Sequence, residues 1–305
     1  MNHLLDIPDL TRDELIAVLD TGFALRDERQ RGVANAPLLA NRTLAMLFEK
    51  PSLRTRVSYE QAMNELGGHA IVLGRHEVGL GERESVADAT RVLAGMVHAI
   101  AARVYDHCAL QQMARANAAP VINMLSDKAH PCQALADVMT IMDAFGRDVA
   151  GRSIAFVGDA NNVAWSLMHA AGMLGMNMTI ASPQGYQFDA AAMRQMSQRY
   201  PGVKLKQITN PADAVVDADA VYTDTFVSMG QEDEKQRRLD AFADYQLNTS
   251  LLEGAPDHAI VLHCLPAYRG VEITDEVMDG HRSRVIAQAH NRLHAQKGLL
   301  AHLLV

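Results

Sequence analysis

No CxxC pair, no surplus of basic charge, no bilayer-length apolar run and no low-complexity stretch occurs in these 305 residues. Each absence removes a class of function. The cysteines are Cys108, Cys132 and Cys264, an odd number and widely spaced. Reduced thiols in a cytosolic compartment are therefore expected, not a disulfide framework. With 28 Lys and Arg against 36 Asp and Glu, the net charge is -8, which argues against a nucleic-acid binder while leaving room for a local basic pocket. The longest apolar runs are strand-sized, too short for a membrane span. The opening Met1-Asn2-His3-Leu4-Leu5-Asp6 has no charged leader followed by an apolar core, so no signal peptide is visible and a cytoplasmic location is expected. What is present is a globular composition, 49% hydrophobic and 21% charged, in a chain long enough for two cored domains.

Short apolar runs alternate with amphipathic stretches throughout. Thr11 and Glu14 form a capping-box signature, and Leu15, Val18, Leu19 and Phe23 continue a helical stripe. Strands are predicted at 43–48, 69–73, 99–103 and 121–123, with helices at 52–66, 85–96, 107–117 and 131–145 between and after them. Gly67-Gly68 stops the helix that Ser52 opens. The second half repeats the rhythm, with strands at 153–157, 178–181, 203–208, 220–223 and 259–263. Residues 291–304 place Leu293, Leu300 and Leu304 on one face of a terminal helix. Strands alternating with helices predict an α/β fold of two doubly wound parallel sheets. Without a Pro/Gly/Ser-rich linker, the two domains should be joined by helices, with the boundary between about 130 and 147.

Open α/β sheets bind ligands beyond the carboxyl ends of their strands, so residues just after each apolar run carry the functional information. Ser52-Leu53-Arg54-Thr55-Arg56 follows the first long strand and begins a helix. Helix-initial N–H groups, two hydroxyls and a bidentate guanidinium make an anion cradle without glycines. Taken alone, such a segment is more often an ordinary Ser cap with solvated arginines. Arg103 ends another strand. His130 and Gln133, three apart at a helix start, face the same way. Gly158-Asp159-Ala160-Asn161-Asn162 follows strand 153–157 but lacks the Gly-x-Gly-x-x-Gly spacing of a dinucleotide site. Asp224 follows strand 220–223, and Cys264 follows strand 259–263. A Cys beside His263 invites a zinc reading, yet two adjacent residues cannot supply a closed tetrahedral site. A buried structural thiol is the general default for such a cysteine.

Taken in order, these segments resemble the aspartate and ornithine carbamoyltransferases. The resemblance rests on Ser52–Arg56, Gly81–Leu93, His130-Pro131-Cys132-Gln133, Gly158–Asn162, Asp224–Gly230, His263-Cys264-Leu265-Pro266 and Asn291-Arg292-Leu293-His294, and it covers nearly the whole chain. Ser228-Met229-Gly230 is similar to the ornithine branch.

The resemblance implies transfer of a carbamoyl group from carbamoyl phosphate to the side-chain amine of ornithine, with no metal or organic cofactor. It places carbamoyl phosphate on Ser52, Leu53, Arg54, Thr55, Arg103, His130, Gln133, Cys264, Leu265 and Arg292, and ornithine on Asn162, Asp224, Ser228 and Met229. Arg54, His130, Cys264 and Arg292 are the expected catalytic residues, Arg292 opening the last helix. Residues 1–133 are the expected carbamoyl-phosphate domain, joined by the C-terminal helix 288–305, and 134–287 the ornithine domain. Domain closure, ordered binding and a homotrimer or a multiple of it are further implied. An acceptor of another kind, N-acylated ornithine or putrescine, is the nearest alternative. Two departures from the family pattern stand out: Leu53 where Thr is frequent, and Gln288-Ala289-His290 where acidic residues are common.

Overall fold

The structure, a computed structural model, describes residues 3–81, 83–228 and 231–305. It divides into two compact units, one running to Met139 and taking in His290–Val305, the other Thr140–Ala289. Among the described residues no helix is long and apolar enough to cross a membrane.

The first unit runs β1 (His3–Leu4), α1 (Arg12–Gln30), β2 (Thr43–Phe48), α2 (Leu53–Glu65), β3 (His69–Gly74), α3 (Arg75–Val78), α4 (Val86–Ala94), β4 (Ala99–Arg103), α5 (His107–Ala116) and β5 (Val121–Leu125). Helix α6 (Pro131–Phe145) then carries the chain into the second unit. The five strands form a fully parallel sheet in the order β1-β5-β4-β2-β3. Strand β4 is buried along its whole length, as a central parallel strand must be when helices cover both faces. The predicted capping box is present: Thr11 Oγ1 accepts from the Glu14 amide while Glu14 accepts from Thr11 N–H.

The second unit runs β6 (Ser153–Val157), α7 (Asn162–Leu174), β7 (Asn177–Ala181), α8 (Ala190–Arg199), β8 (Leu205–Ile208), α9 (Pro211–Val215), β9 (Ala220–Thr223), α10 (Lys235–Ala241), α11 (Thr249–Glu253), β10 (Ile260–His263) and α12 (Asp275–Met278). Its sheet is again parallel, ordered β10-β9-β6-β7-β8. Helix α13 (Val285–Leu304) leaves this unit and packs onto the first, where Gly298 lies against the Val18 and Gly22 backbone of α1.

Most predicted strands agree to within two residues. Three differences have physical causes. Strand β1 is only two residues long and has no alternation to detect; it is held by pairing with β5. The Gly- and charge-rich stretch after β3 holds a short helix, α3, too short and too polar to show an apolar stripe. Helix α13 begins at Val285, so Arg292 lies two turns inside it and does not open it. The buried Gln288 interrupts the apolar stripe that would have revealed those turns.

Strand order places the functional segments. In the first sheet the direction of winding reverses between β2 and β4, whose last residues, Phe48 and Arg103, are register partners. In the second it reverses between β6 and β9. There Thr223 is the partner of both Val157 and His263, so Gly158, Asp224 and Cys264 leave the sheet at one level. Such switch points are where open α/β sheets bind ligands.

Candidate active site

In the first unit the loop after β2 leads into α2 through Ser52, which is extended and makes no side-chain capping bond, so its hydroxyl is not committed to the helix. Arg54 is half-buried, whereas Arg56 points outward to Glu60 at 3.2 Å. The two arginines of the segment therefore do different things. The Leu53 side chain is 74% exposed and offers no polar atom; only its backbone N–H, at the helix start, suits an anion.

Thr55 is fully buried, and its hydroxyl accepts from Arg292 Nη2 at 2.8 Å. Arg292 Nη1 donates to Gln133 Oε1 at 3.0 Å, and Gln133 Nε2 donates to Asp137 Oδ1 at 2.8 Å. One guanidinium thus joins α2, α6 and α13. A hydroxyl that accepts can still donate, and an amide oxygen has a second lone pair, so Thr55 and Gln133 both keep capacity for a ligand. Arg103 and His130 are buried close to this group. Burial first, then the Arg292 and Arg103 charges, hold the His130 imidazole well below its usual pKa, so it is neutral at physiological pH. Two buried cations, a neutral imidazole, two hydroxyls and a helix N-terminus suit a doubly charged phosphate ester.

Beneath His130 and Gln133, Tyr59 and Cys132 lie 2.9 Å apart, and the Cys132 thiol donates to the Asn123 carbonyl of β5 at 3.2 Å. Burial pushes the Cys132 thiol up to about 11 and raises the Tyr59 phenol, so both remain protonated braces for the start of α6.

In the second unit Asp224 is the centre. Its Oδ1 accepts from the Thr225 amide at 2.7 Å and from Cys264 Sγ at 2.9 Å, and its Oδ2 accepts from Asn161 Nδ2 at 2.7 Å. Asn161 also caps α7, its Oδ1 taking the N–H groups of Val163 and Ala164. Asn161 thus ties the start of α7 to the Asp224 carboxylate, a link that the β6–β9 pairing makes possible. Asn162 begins α7 and is half-buried. Ser228 is half-buried, with its N–H donating to Gln231 Oε1 at 3.0 Å. Met229 and Gly230 lie outside the described residues.

Cys264 and Leu265 belong to the second unit, unlike the other residues expected at carbamoyl phosphate. Leu265 N–H donates to His263 Nδ1 at 2.9 Å, which leaves the Nε2–H of His263 to meet Glu272 Oε1 at 3.0 Å. Asp224, His263 and Cys264 offer ligand atoms within 4.8 Å of one another. Both His263 nitrogens are already engaged, and Asp224 and Cys264 bond each other, so the group fits a hydrogen-bonded cluster better than a metal.

Two further residues escaped the sequence reading. Buried Arg238 ion-pairs with Asp159, donates to the Phe226 carbonyl at 2.6 Å and stacks on Tyr186, its carbon 4.9 Å from the ring centre. It thereby ties the loop after β6 to the loop after β9. Glu272 is fully buried. Neither has a local motif; their partners lie on other strands.

Buried cations and hydroxyls at one switch point and a carboxylate with neutral partners at the other suit an α/β transferase that takes an activated phosphate and an amine. The comparisons give that class its family. Residues 2–143 match the family model described as aspartate/ornithine carbamoyltransferase, carbamoyl-P binding domain, and residues 150–303 match that of the Asp/Orn binding domain. An ornithine carbamoyltransferase of Archaeoglobus fulgidus is 47% identical over 304 residues, covering 100% of this chain and 98% of its own. One from Haloquadratum walsbyi is 48% identical over 99% of this chain and 98% of its own. Among solved structures, the ornithine carbamoyltransferase of Pyrococcus furiosus superposes with a TM-score of 0.96 at 44% identity, covering 99% of this chain and 97% of its own. The anabolic enzyme of Campylobacter jejuni gives 0.93 at 36%, covering 99% of each chain. The chain belongs to the aspartate/ornithine carbamoyltransferase family.

Proposed function

We propose that this protein is an ornithine carbamoyltransferase, which moves the carbamoyl group of carbamoyl phosphate to the side-chain amine of L-ornithine, giving L-citrulline and phosphate. The observation that carries the reading is the pair of switch-point sites, cationic in the first unit and built on one buried carboxylate in the second.

Ser52, the Leu53 backbone, Arg54, Thr55 and Arg103 bind the phosphate. Arg292, Thr55 and His130 polarise the carbonyl, and the Gln133 amide oxygen takes an N–H of the carbamoyl group. Because His130 is neutral, it stabilises the developing oxyanion as a hydrogen-bond donor without transferring a proton. Asn162 and Ser228, with Met229, hold the α-amino acid end of ornithine, and Asp224 with Cys264 receives the side-chain amine. The neutral amine adds its lone pair to the carbonyl carbon and forms the C–N bond. The tetrahedral intermediate then expels phosphate with the C–O bonding pair, and the proton lost by the nitrogen passes to that phosphate. Fixed charge and proximity carry the rate. The Leu265 backbone, beside Cys264, contributes its carbonyl to the carbamoyl amide, since its N–H is engaged by His263.

A cytoplasmic homotrimer, or a multiple of it, in arginine biosynthesis completes the proposal. Its support in this chain is the apolar surface of the first unit: Leu53 and Val57 on α2, Ile71 on the edge strand β3, and Val92 and Met96 at α4, at 39–74% exposure. Exposed apolar residues of this kind suit burial against another copy. Sedimentation equilibrium should give three times the chain mass or a multiple; a stable, fully active monomer would overturn the assembly.

Arg54→Ala tests the phosphate assignment. Loss of a bidentate cation at a phosphate should lower kcat/KM for carbamoyl phosphate by 100-fold or more, about 3 kcal/mol, the scale of losing one charged partner. Near wild-type kinetics would remove Arg54 from the site.

A further inference from the structure

Lys297 is fully buried on α13, and burying an ammonium is unfavourable unless it is paired. Its Nζ meets the Glu65 carboxylate at the end of α2 and donates to Asn35 Oδ1 at 2.6 Å. Glu65 also takes Arg29 Nε of α1 and Gln61 Nε2, each at 2.8 Å. Burial alone would raise the Glu65 carboxyl, but these hydrogen bonds outweigh it and hold it down at about 2.

The surroundings carry charge of both signs, with Glu28 and Arg29 near Lys297, and His294 beside it is pushed down to about 4, chiefly by burial and then by the Lys297 charge. Apolar side chains at both 297 and 65 would close the α1–α2–α13 interface with no charge left buried there. The pair therefore calls for a reason beyond stability.

Its placement supplies one. Arg292, five residues earlier on α13, reaches Thr55, ten residues earlier on α2. The same two helices are thus tied twice, once at the site and once at the far end of α2. Apolar contacts tolerate sliding; two directional ties do not. Where α13 meets α1 there is no slack either, since a Cβ on Gly298 would stand 2.1 Å from the Val18 carbonyl oxygen.

We propose that Lys297, through Glu65, is a positioning residue for carbamoyl-phosphate binding: it fixes the axial register of α13 so that the Arg292 guanidinium bridges Thr55 and Gln133. The inference rests on the reading of Arg292 as a carbamoyl-phosphate ligand.

The test is steady-state kinetics on Lys297→Met, Arg292→Ala, their double variant, and Lys297→Met/Glu65→Met, with melting temperatures for each. Lys297→Met should raise KM for carbamoyl phosphate at least fivefold and leave KM for ornithine within twofold. On the Arg292→Ala background it should have no further effect on carbamoyl phosphate. The Met/Met pair, with no charge left uncompensated, should regain melting temperature but keep the raised KM. Glu65→Gln, which still presents an oxygen to Nζ, should lie nearer wild type and serves if Lys297→Met does not fold. A Met/Met variant whose KM returns along with its melting temperature would overturn the inference, as would additive effects in the double variant. If Arg292→Ala itself leaves KM for carbamoyl phosphate unchanged, it is the site assignment that fails.

Discussion

At Asp224 three donors converge on one carboxylate: the Thr225 amide, the Asn161 side chain and the Cys264 thiol. An amine arriving there meets an anion already oriented by neutral partners, so its charge is not cancelled by a fixed cation. Two substitutions separate the contributions. Cys264→Ala should raise KM for ornithine and lower kcat while leaving KM for carbamoyl phosphate unchanged; as a merely structural thiol, it would instead lower the melting temperature and spare the kinetics. Asn161→Ala removes both a helix cap and an Asp224 partner, so it should lose about 1 kcal/mol of stability and also weaken ornithine binding. Urea unfolding alongside kinetics would show both losses; stability loss alone would mean that the link to Asp224 is incidental. Residue types at this site were legible from the chain because each follows an apolar run. The bonds among them were not, since Asn161, Asp224 and Cys264 are brought level only by the β6–β9–β10 register.

Parallel strands determine more of this protein than its helices do. Their apolar runs are short and continuous, and almost all could be read from the sequence to within two residues, because burial on both faces leaves little room for polar residues. Helix α13 shows the opposite case. Its first turns are masked by Gln288, which is polar yet buried because it accepts from the His263 amide and donates to Tyr222 Oη. Further along, Gly298 permits the close crossing with α1. Gly298→Ala forces a Cβ against backbone atoms that cannot rotate away, and should destabilise by roughly 1–3 kcal/mol, the range for overpacking a core. Gly202→Ala, where no atom lies within 4 Å of the added carbon, should change the urea midpoint little. Equal effects at the two positions would contradict the close crossing.

At the scale of the whole molecule, burial depresses His107, His130 and His294. In the unfolded chain each takes a proton near its ordinary value of about 6.5, while the folded state refuses it until lower pH. Between those limits the unfolded state binds more protons, so stability is full above about pH 6.5 and declines as pH falls toward about 4 for His294. Urea midpoints at pH 5.0 should lie below those at pH 7.5, and His294→Gln should remove part of the difference; a midpoint that rises on acidification would contradict the assignment. Function, too, is a whole-chain property: the matched segments run from Ser52 to His294. The most direct measurement is therefore product formation by the purified chain with labelled carbamoyl phosphate and a panel of acceptors. Citrulline should form from L-ornithine with no added metal, and at far lower or no rate should label enter aspartate, putrescine or N-acetylornithine. Label entering any of those three as fast as ornithine, or no citrulline at all, would contradict the account.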